Sequence, residues 1–249
     1  MVTVPVSPYC ELARWTLDRL SVAFTEECHA PFLHRLATRR HRGGSVVPVL
    51  DVGESSLTDA RQVVDYYEAR APEALRLYPA DPAARTECRQ LFDTFFDELG
   101  VAVRAWAYAY QLPLRRSTAK AWIDGAPMLE RAIVPVAYPL LAAIVKRSLK
   151  LGPDSIPQAR RVIDASVERV EARLADGRRH LMGERLTAAD LALATLMAPA
   201  VLPAEYRGPL PALDELPAAM RADVEGFRGR PAGAYVLRLF GEERGPLPA

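Results

Sequence analysis

Four consecutive residues near the start of the chain, Ser7-Pro8-Tyr9-Cys10, combine a hydroxyl, a phenol and a thiol at the predicted opening of a helix. Ser is a preferred N-cap residue and Pro fits the first helical position, so a helix is expected to begin here. The first amides of a helix lack internal partners and favour an anion. A hydroxyl donor at this point can therefore lower the pKa of a bound thiol and hold its thiolate, which is the nucleophilic form.

Each of these side chains also has a simpler interpretation. Ser7 can be a plain N-cap that contributes about 1 kcal/mol of stability. Cys10, one helical turn further on, can be a nucleophile that forms mixed disulfides, but a small buried thiol is the favoured interpretation. A dithiol cycle is excluded because Ser7 stands where its first cysteine would be needed. The phenol of Tyr9 is a second choice for the same pocket.

A second stretch, Val46-Val47-Pro48-Val49-Leu50, places a proline among the apolar residues of a predicted strand. Proline cannot donate to a sheet ladder, but it permits a cis peptide bond. A cis Val47–Pro48 bond is expected to leave the N–H and C=O of Val47 free to pair with an extended ligand. A turn and a helix follow, with Ser56 or Thr58 as the candidate cap. An edge strand, a turn and a helix without a ligand remain the alternative.

The composition is that of an ordinary globular protein. Half of the 249 residues are hydrophobic and a quarter are charged. The net charge of +1 gives no reason to expect a nucleic-acid partner or an anionic membrane surface. Three widely spaced cysteines indicate a reducing compartment, and no signal peptide is expected. The longest apolar run, 132–145, is too short to span a membrane and contains two prolines, so it predicts a kinked core helix.

Two clusters of polar residues are interpreted structurally. The first matches no standard zinc spacing, so no metal is expected. Its members are Cys28, His29, His34 and His41. The second cluster, Thr187 with Asp190, has the spacing of a helix-capping box, and Asp190 is not expected to be catalytic.

The predicted elements divide the chain into two parts. Short strands alternate with helices in the first part, which is typical of a small α/β domain. The strands are predicted at 2–6, 22–28 and 46–50. Residues 29–45 are predicted as a basic connection, and the proline-rich residues 71–81 as a linker. Beyond the linker the strand patterns stop and helical patterns continue to the end. The domains are therefore expected at 1–72 and 82–249.

Together these motifs resemble the glutathione S-transferase family. Residues 7–10, 46–50, 57–60 and 181–190 carry the resemblance. Leu57-Thr58-Asp59-Ala60 is similar to the Leu-Thr-Glu-Ser turn of the family. The resemblance extends over nearly the whole chain. It implies an α+β two-domain fold, with a thioredoxin-like α/β N-terminal domain followed by an all-α helical-bundle C-terminal domain.

The resemblance implies an enzyme that activates the thiol of glutathione and conjugates it to a small hydrophobic electrophile, as in detoxification. Ser7 matches the serine position of the family and is the implied catalytic residue, with Cys10 and Tyr9 as further candidates. One alternative is a glutaredoxin-like thiol oxidoreductase that acts through Cys10. Another is a non-catalytic ligand-binding protein of the same fold. A cytoplasmic homodimer without nucleic-acid or membrane partners is expected.

The glutathione-binding residues follow from the same resemblance. Val47 and Pro48 are expected to pair with the cysteinyl part of glutathione, and Asp59 with its γ-glutamyl ammonium. Ala60 replaces the serine that would hold the γ-glutamyl carboxylate, so only the helix amides remain for that group. These residues form the expected glutathione site.

A second departure concerns the glycyl carboxylate. Many members of the family bind it with a lysine where this chain has Val46, and Arg42 or its neighbours 40–41 are the candidate replacements. The electrophile is expected to lie against Arg104 and Tyr108. Two further aromatic residues in this region can belong either to the pocket or to the core: Trp106 and Tyr110.

Overall fold

The computed structural model describes residues 1–244; residues 245–249 of the predicted helical domain lie outside the described part. The strands are β1 Val2–Thr3, β2 Glu27–Cys28, β3 Leu50–Val52 and β4 Ser55–Leu57. The helices are α1 Pro8–Arg19, α2 His34–Arg40, α3 Ala60–Glu68, α4 Pro82–Thr94, α5 Gly100–Gln111, α6 Arg115–Trp122, α7 Met128–Ser148, α8 Ser155–Leu174, α9 Ala188–Val201, α10 Ala218–Arg228 and α11 Pro231–Leu239. The two-domain, thioredoxin-like plus helical architecture is as predicted.

The strands of the first domain form two pairs. β1 runs parallel to β2, and β3 runs antiparallel to β4. Val2 and Val49 join the pairs by exchanging backbone hydrogen bonds of 2.7 and 3.1 Å. The predicted strand at 46–50 was therefore misplaced, because regular pairing begins only at Leu50, beyond the proline that cannot donate. The predicted connection at 29–45 was also wrong in part, since it contains α2.

Helix α9 is the centre of the second domain. All of its 14 residues are buried, and it packs against α1, α4, α5, α10 and α11. Because it is apolar on every side, it has no solvent-facing stripe. A π-helical turn, Phe95–Leu99, joins α4 to α5.

The two domains are in close contact where Tyr9 of α1 meets the π-helical turn and the start of α5. The Tyr9 hydroxyl donates to the carbonyl oxygen of Phe96 at 3.0 Å. A Cβ atom at Gly100 would lie 2.6 Å from the Tyr9 hydroxyl and 2.9 Å from Leu196 Cδ2. Glycine at position 100 therefore permits a contact that any side chain would push apart.

Helix α7 continues through both of its prolines and lies at the surface rather than in the main core. Its inner face forms a second, smaller core with α6. By length and composition it is the one helix among residues 1–244 that could cross a membrane. Only 22% of its most apolar 18-residue stretch is buried in the fold. The prediction of a core helix was therefore wrong for its outer face.

The predicted capping box at the start of α9 is present and reaches beyond its own helix. Asp190 accepts from the backbone N–H groups of Thr187 and Leu181 at 2.7 and 2.8 Å. The hydroxyl of Tyr235, on α11, donates to the same carboxylate at 2.5 Å. The Asp190 carboxylate is fully buried, so it joins three segments without contact with solvent.

We predict that Asp190→Ala lowers the free energy of unfolding by about 3–5 kcal/mol, because it leaves two buried N–H groups and the buried hydroxyls of Thr187 and Tyr235 without acceptors. Urea denaturation measures the change. Glu184→Ala removes an exposed carboxylate from the same loop and is the matched control, expected to unfold like the parent. A loss below about 1 kcal/mol for Asp190→Ala would contradict this role.

Candidate functional site

A cavity of about 560 Å3 lies between the two domains. The N-terminal domain contributes the loop before α1, the loop before α2 and Val47 to its walls. The helical domain contributes α5, α6, the end of α7 and the loop at 209–216. A small-molecule site of this size at a domain boundary is a common location for binding or catalysis.

Ser7 lies at the wall of this cavity and caps α1 as predicted. Its Oγ accepts from the backbone N–H of Cys10 at 3.4 Å. A hydroxyl that accepts in this way still has its own proton to donate. Ser7 therefore places a hydrogen-bond donor at the cavity wall, beside the positive end of the α1 dipole.

The Val47–Pro48 peptide bond is cis, as predicted. Val47 lies at the cavity wall. Within residues 1–244 its N–H and C=O make no backbone hydrogen bond, whereas Val49 exchanges two with Val2. An extended ligand in the cavity thus has a free donor and acceptor beside it.

Cys10 and Tyr9 do not reach the cavity, although the sequence made both candidates. The Cys10 side chain is fully buried, and burial raises its thiol pKa to about 11. This shift is opposite to the one that a nucleophilic thiol needs. The Tyr9 phenol instead donates to Phe96, and burial raises its pKa as well.

The residues expected to bind the ends of glutathione lie outside the cavity walls. Asp59, rather than Ser56 or Thr58, caps α3 by accepting from the N–H of Gln62 at 2.8 Å. The predicted cap was wrong because Thr58 turns its hydroxyl to the Gln62 side chain, 3.3 Å away. Ala60 is fully buried.

Pro48 and Arg42 are the remaining residues that were expected to bind glutathione. Pro48 is buried beside Val47, and Arg42 is exposed with a left-handed φ of 56°. Neither lines the cavity wall, in contrast to Val47. The structure therefore brings Ser7 and Val47 together at the cavity and leaves the other predicted binding residues outside its walls.

Arg104 and Tyr108, one helical turn apart on α5, both line the cavity as expected. Burial raises the Tyr108 pKa to about 12, so the phenol stays protonated. Arg104 has a buried Nε without a hydrogen-bond partner in the described part of the chain, and its guanidinium lies 5.8 Å from the Tyr9 ring centre. Among the described residues, the Arg104 guanidinium at this cavity therefore forms no ion pair with a carboxylate.

The question left open for Trp106 and Tyr110 is answered by their partner on α10. Trp106 is fully buried, and its indole N–H donates to Asp223 Oδ2 at 2.9 Å. The Tyr110 hydroxyl donates to the same oxygen at 3.3 Å. Both aromatics belong to the contact between α5 and α10 rather than to the cavity.

Sequence reasoning missed several cavity residues, which lie on α6 and around α2. They include Phe32, His34, Arg116, Lys120 and Trp122. His34 accepts from the backbone N–H of Phe32 and approaches the Ser45 carbonyl, both at 3.1 Å. Burial lowers the His34 pKa, so a neutral ring holds the loop that leads to Val47. Helix α6 has only eight residues, too few for a clear periodic pattern.

The other histidines of the proposed cluster bind carboxylates. His29 lies 2.5 Å from Glu130 and 2.9 Å from Glu27, and these partners raise its pKa against the lowering effect of burial. His41 lies 2.5 Å from Asp51. Over residues 1–244 no group of three potential metal ligands is found.

Two family models match the chain. The glutathione S-transferase N-terminal domain matches residues 1–75, and the glutathione S-transferase C-terminal domain matches residues 153–222. Together they cover more than half of the sequence. The chain therefore belongs to the glutathione S-transferase family. No curated protein matches it significantly.

Several solved structures share the fold. Glutathione transferase GSTFuA3 from Phanerochaete chrysosporium is 14% identical with a TM-score of 0.65, over 100% of this chain and 97% of that one. The β-etherase LigF from Sphingobium is 17% identical with a TM-score of 0.59, and the match covers 97% of this chain and 98% of that one. A glutathione S-transferase from Methylobacillus flagellatus with GSH bound is 17% identical with a TM-score of 0.54, and the match covers 99% of this chain and 98% of that one.

We predict that Cys10 and Cys88 of the native protein resist alkylation by iodoacetamide and that Cys28 reacts. Cys10 and Cys88 are fully buried, whereas Cys28 is partly exposed. Mass spectrometry after a short reaction measures each site, and the same reaction in urea, where all three should label, is the control. Labelling of native Cys10 as fast as Cys28 would contradict the assignment of an inaccessible thiol.

Proposed function

We propose that this protein is a glutathione transferase that ionises the thiol of glutathione at Ser7 and joins it to a small electrophile in the cavity. The proposal depends above all on Ser7 and Val47 lying on the same cavity wall. The backbone of Val47 would pair with the cysteinyl part of glutathione, and this would direct its sulfur toward the Ser7 hydroxyl and the first amides of α1.

The Ser7 hydroxyl acts by stabilising charge rather than by attacking the substrate. The thiol proton leaves to solvent, the hydroxyl donates to the thiolate, and the α1 dipole favours the same anion. The sulfur then forms a bond to the electrophilic carbon, whose bond to the leaving group breaks; with a chloronitrobenzene the carbon–chlorine bond breaks and chloride leaves to solvent. The apolar part of the cavity would hold the electrophile against α5 and α6, where Tyr108 packs edge-on to Trp122 at 6.2 Å.

Asp59 remains the proposed partner of the γ-glutamyl ammonium, since its second carboxylate oxygen has no role in the α3 cap. Ala60 offers no hydroxyl for the γ-glutamyl carboxylate. This absence favours weak glutathione binding and keeps a ligand-binding protein without turnover as the second candidate. The cytoplasmic homodimer stays a prediction on the same family grounds.

We predict that Ser7→Ala lowers kcat/KM for conjugation of a chloronitrobenzene by about 100-fold, the usual cost of one charge-stabilising donor. Ser7→Thr keeps the hydroxyl and the cap and should retain most activity. Ultraviolet absorbance of the bound thiolate, followed against pH, should show a higher glutathione pKa in Ser7→Ala than in the parent.

Two outcomes would overturn this mechanism. The first is a Ser7→Ala enzyme that conjugates as fast as the parent and shows an unchanged thiol pKa. The second is a melting temperature that does not rise with millimolar glutathione, since a ligand of the folded state must stabilise it. A glutathione-induced rise without any conjugation would favour the ligand-binding candidate.

The free cation in the cavity supports a more specific proposal for the electrophile. Arg104 and two further basic residues, Arg116 and Lys120, line the cavity together with Asp124 and Glu215. Arg104 has no ion pair within residues 1–244, and part of its guanidinium is already shielded from solvent. An electrophile with a carboxylate on an apolar ring would satisfy this group and still bury its ring against α5 and α6.

We predict that Arg104→Met lowers kcat/KM for a carboxylate-bearing chloronitrobenzene by 10–100-fold more than for the uncharged compound, about the value of one charged hydrogen bond. Arg104→Lys, which keeps the charge, should recover part of the difference. Steady-state kinetics on both compounds provide the test. Equal losses of kcat/KM on the two compounds would indicate that Arg104 acts on the glutathione thiolate rather than on the electrophile.

A further inference from the structure

Helix α7 has an apolar outer face that no other part of residues 1–244 covers. No charged residue occurs between positions 132 and 145. Leu129, Val136 and Leu140 are 71%, 80% and 65% exposed. Ile133 and Ile144 extend the same stripe, which we call the α7 outer face. Five large apolar side chains on one exposed helix face are unusual for an isolated globular protein.

The opposite face of α7 fixes the helix on the molecule. Val134, Tyr138 and Leu141 are buried against Trp122 and its neighbours. Near the start of the helix, Glu130 accepts from the backbone N–H of Ala30 at 2.7 Å. Because this inner face belongs to the fold, α7 can lie on a surface but cannot cross a membrane without leaving its core.

Positive charges predominate in the segment that contains α7. The segment 115–150, which covers α6, α7 and their flanks, contains seven basic and two acidic residues, a net charge of +5 in a chain of net +1. The seven basic side chains are all exposed: Arg115, Arg116, Lys120, Arg131, Lys146, Arg147 and Lys150. One of the two acids, Glu130, is buried against His29. The outer face therefore belongs to a segment with an excess of positive charge.

We propose that the α7 outer face docks on an anionic lipid bilayer, with α7 lying in the plane of the headgroups. An apolar stripe inserts into the boundary of the acyl chains, and basic residues beside it attract anionic lipids. Contact with a second copy is disfavoured, since it would bring two segments of net charge +5 against each other. The net charge of the whole chain, +1, does not reveal this local excess of positive charge.

Flotation with lipid vesicles tests the proposal on the full-length protein. At physiological salt we expect the parent to float with vesicles that contain 30 mol% phosphatidylglycerol at least tenfold more than with pure phosphatidylcholine, on the order of one decade for a polybasic surface. Raising the salt should weaken this binding, because screening shortens the reach of the charges. Leu140→Glu should reduce vesicle binding at least tenfold.

Leu36→Glu is the matched control, since Leu36 on α2 is 64% exposed, almost the same as Leu140. It should float like the parent, and the melting temperatures of both variants should show intact folds. The triple variant Lys146→Gln, Arg147→Gln, Lys150→Gln should lose the preference for anionic lipid.

Three results would overturn the proposal: no flotation of the parent with anionic vesicles, equal flotation of Leu140→Glu, or equal loss in Leu36→Glu. A parent that does not float but forms a larger species in sedimentation, converted by Leu140→Glu to a smaller one, would assign the face to contact between copies.

Discussion

The packing of α1 between the two domains is the constraint on which the site depends. Nine of its twelve residues are buried, and it contacts both α3 of its own domain and α9 of the other. Trp15 meets Phe240 near the far end of the chain, with ring centres 4.9 Å apart. Because α1 is held on both sides, its first turn has a fixed direction, and the cap residue Ser7 stands at the edge of the cavity.

Buried charges reinforce this position. Glu11 on α1 is fully buried, accepts from Arg244 at 2.9 Å and lies 3.4 Å from Arg14. Burial raises the Glu11 pKa while the two arginines oppose that shift. Arg14 in turn donates to Glu26 beside the second strand at 2.6 Å. Since removal of one partner would leave a buried charge uncompensated, the network fixes how the helix, the sheet and residue 244 meet.

Features that depend on a few neighbouring residues could be predicted from the sequence. The Ser7 cap, the cis bond at Pro48 and the Thr187–Asp190 box are local, so residue type and spacing were sufficient. The direction of Tyr9 and the depth of Cys10 depend on α5 and α9, which are far away in the sequence. The sequence therefore could not show that Tyr9 and Cys10 lie outside the cavity.

The cap of α3 and helix α6 show two other limits. Thr58 and Asp59 are both good N-cap residues, and the contact of Thr58 with Gln62 decides between them. Helix α6 is short, and its cavity role depends on α7 packing behind it. Averages over the whole chain also conceal local features. The chain has a net charge of +1, yet its segment 115–150 has a net charge of +5.

The division of the cavity between two domains has an evolutionary consequence. Ser7 and Val47 come from the N-terminal domain, whereas Arg104, Tyr108 and α6 come from the other. Substitutions in the second set can alter the shape and charge of one wall while the opposite wall is unchanged. A lineage with this architecture can therefore diversify its range of ligands through the helical half alone, under separate selection from the half that carries the cis-proline loop.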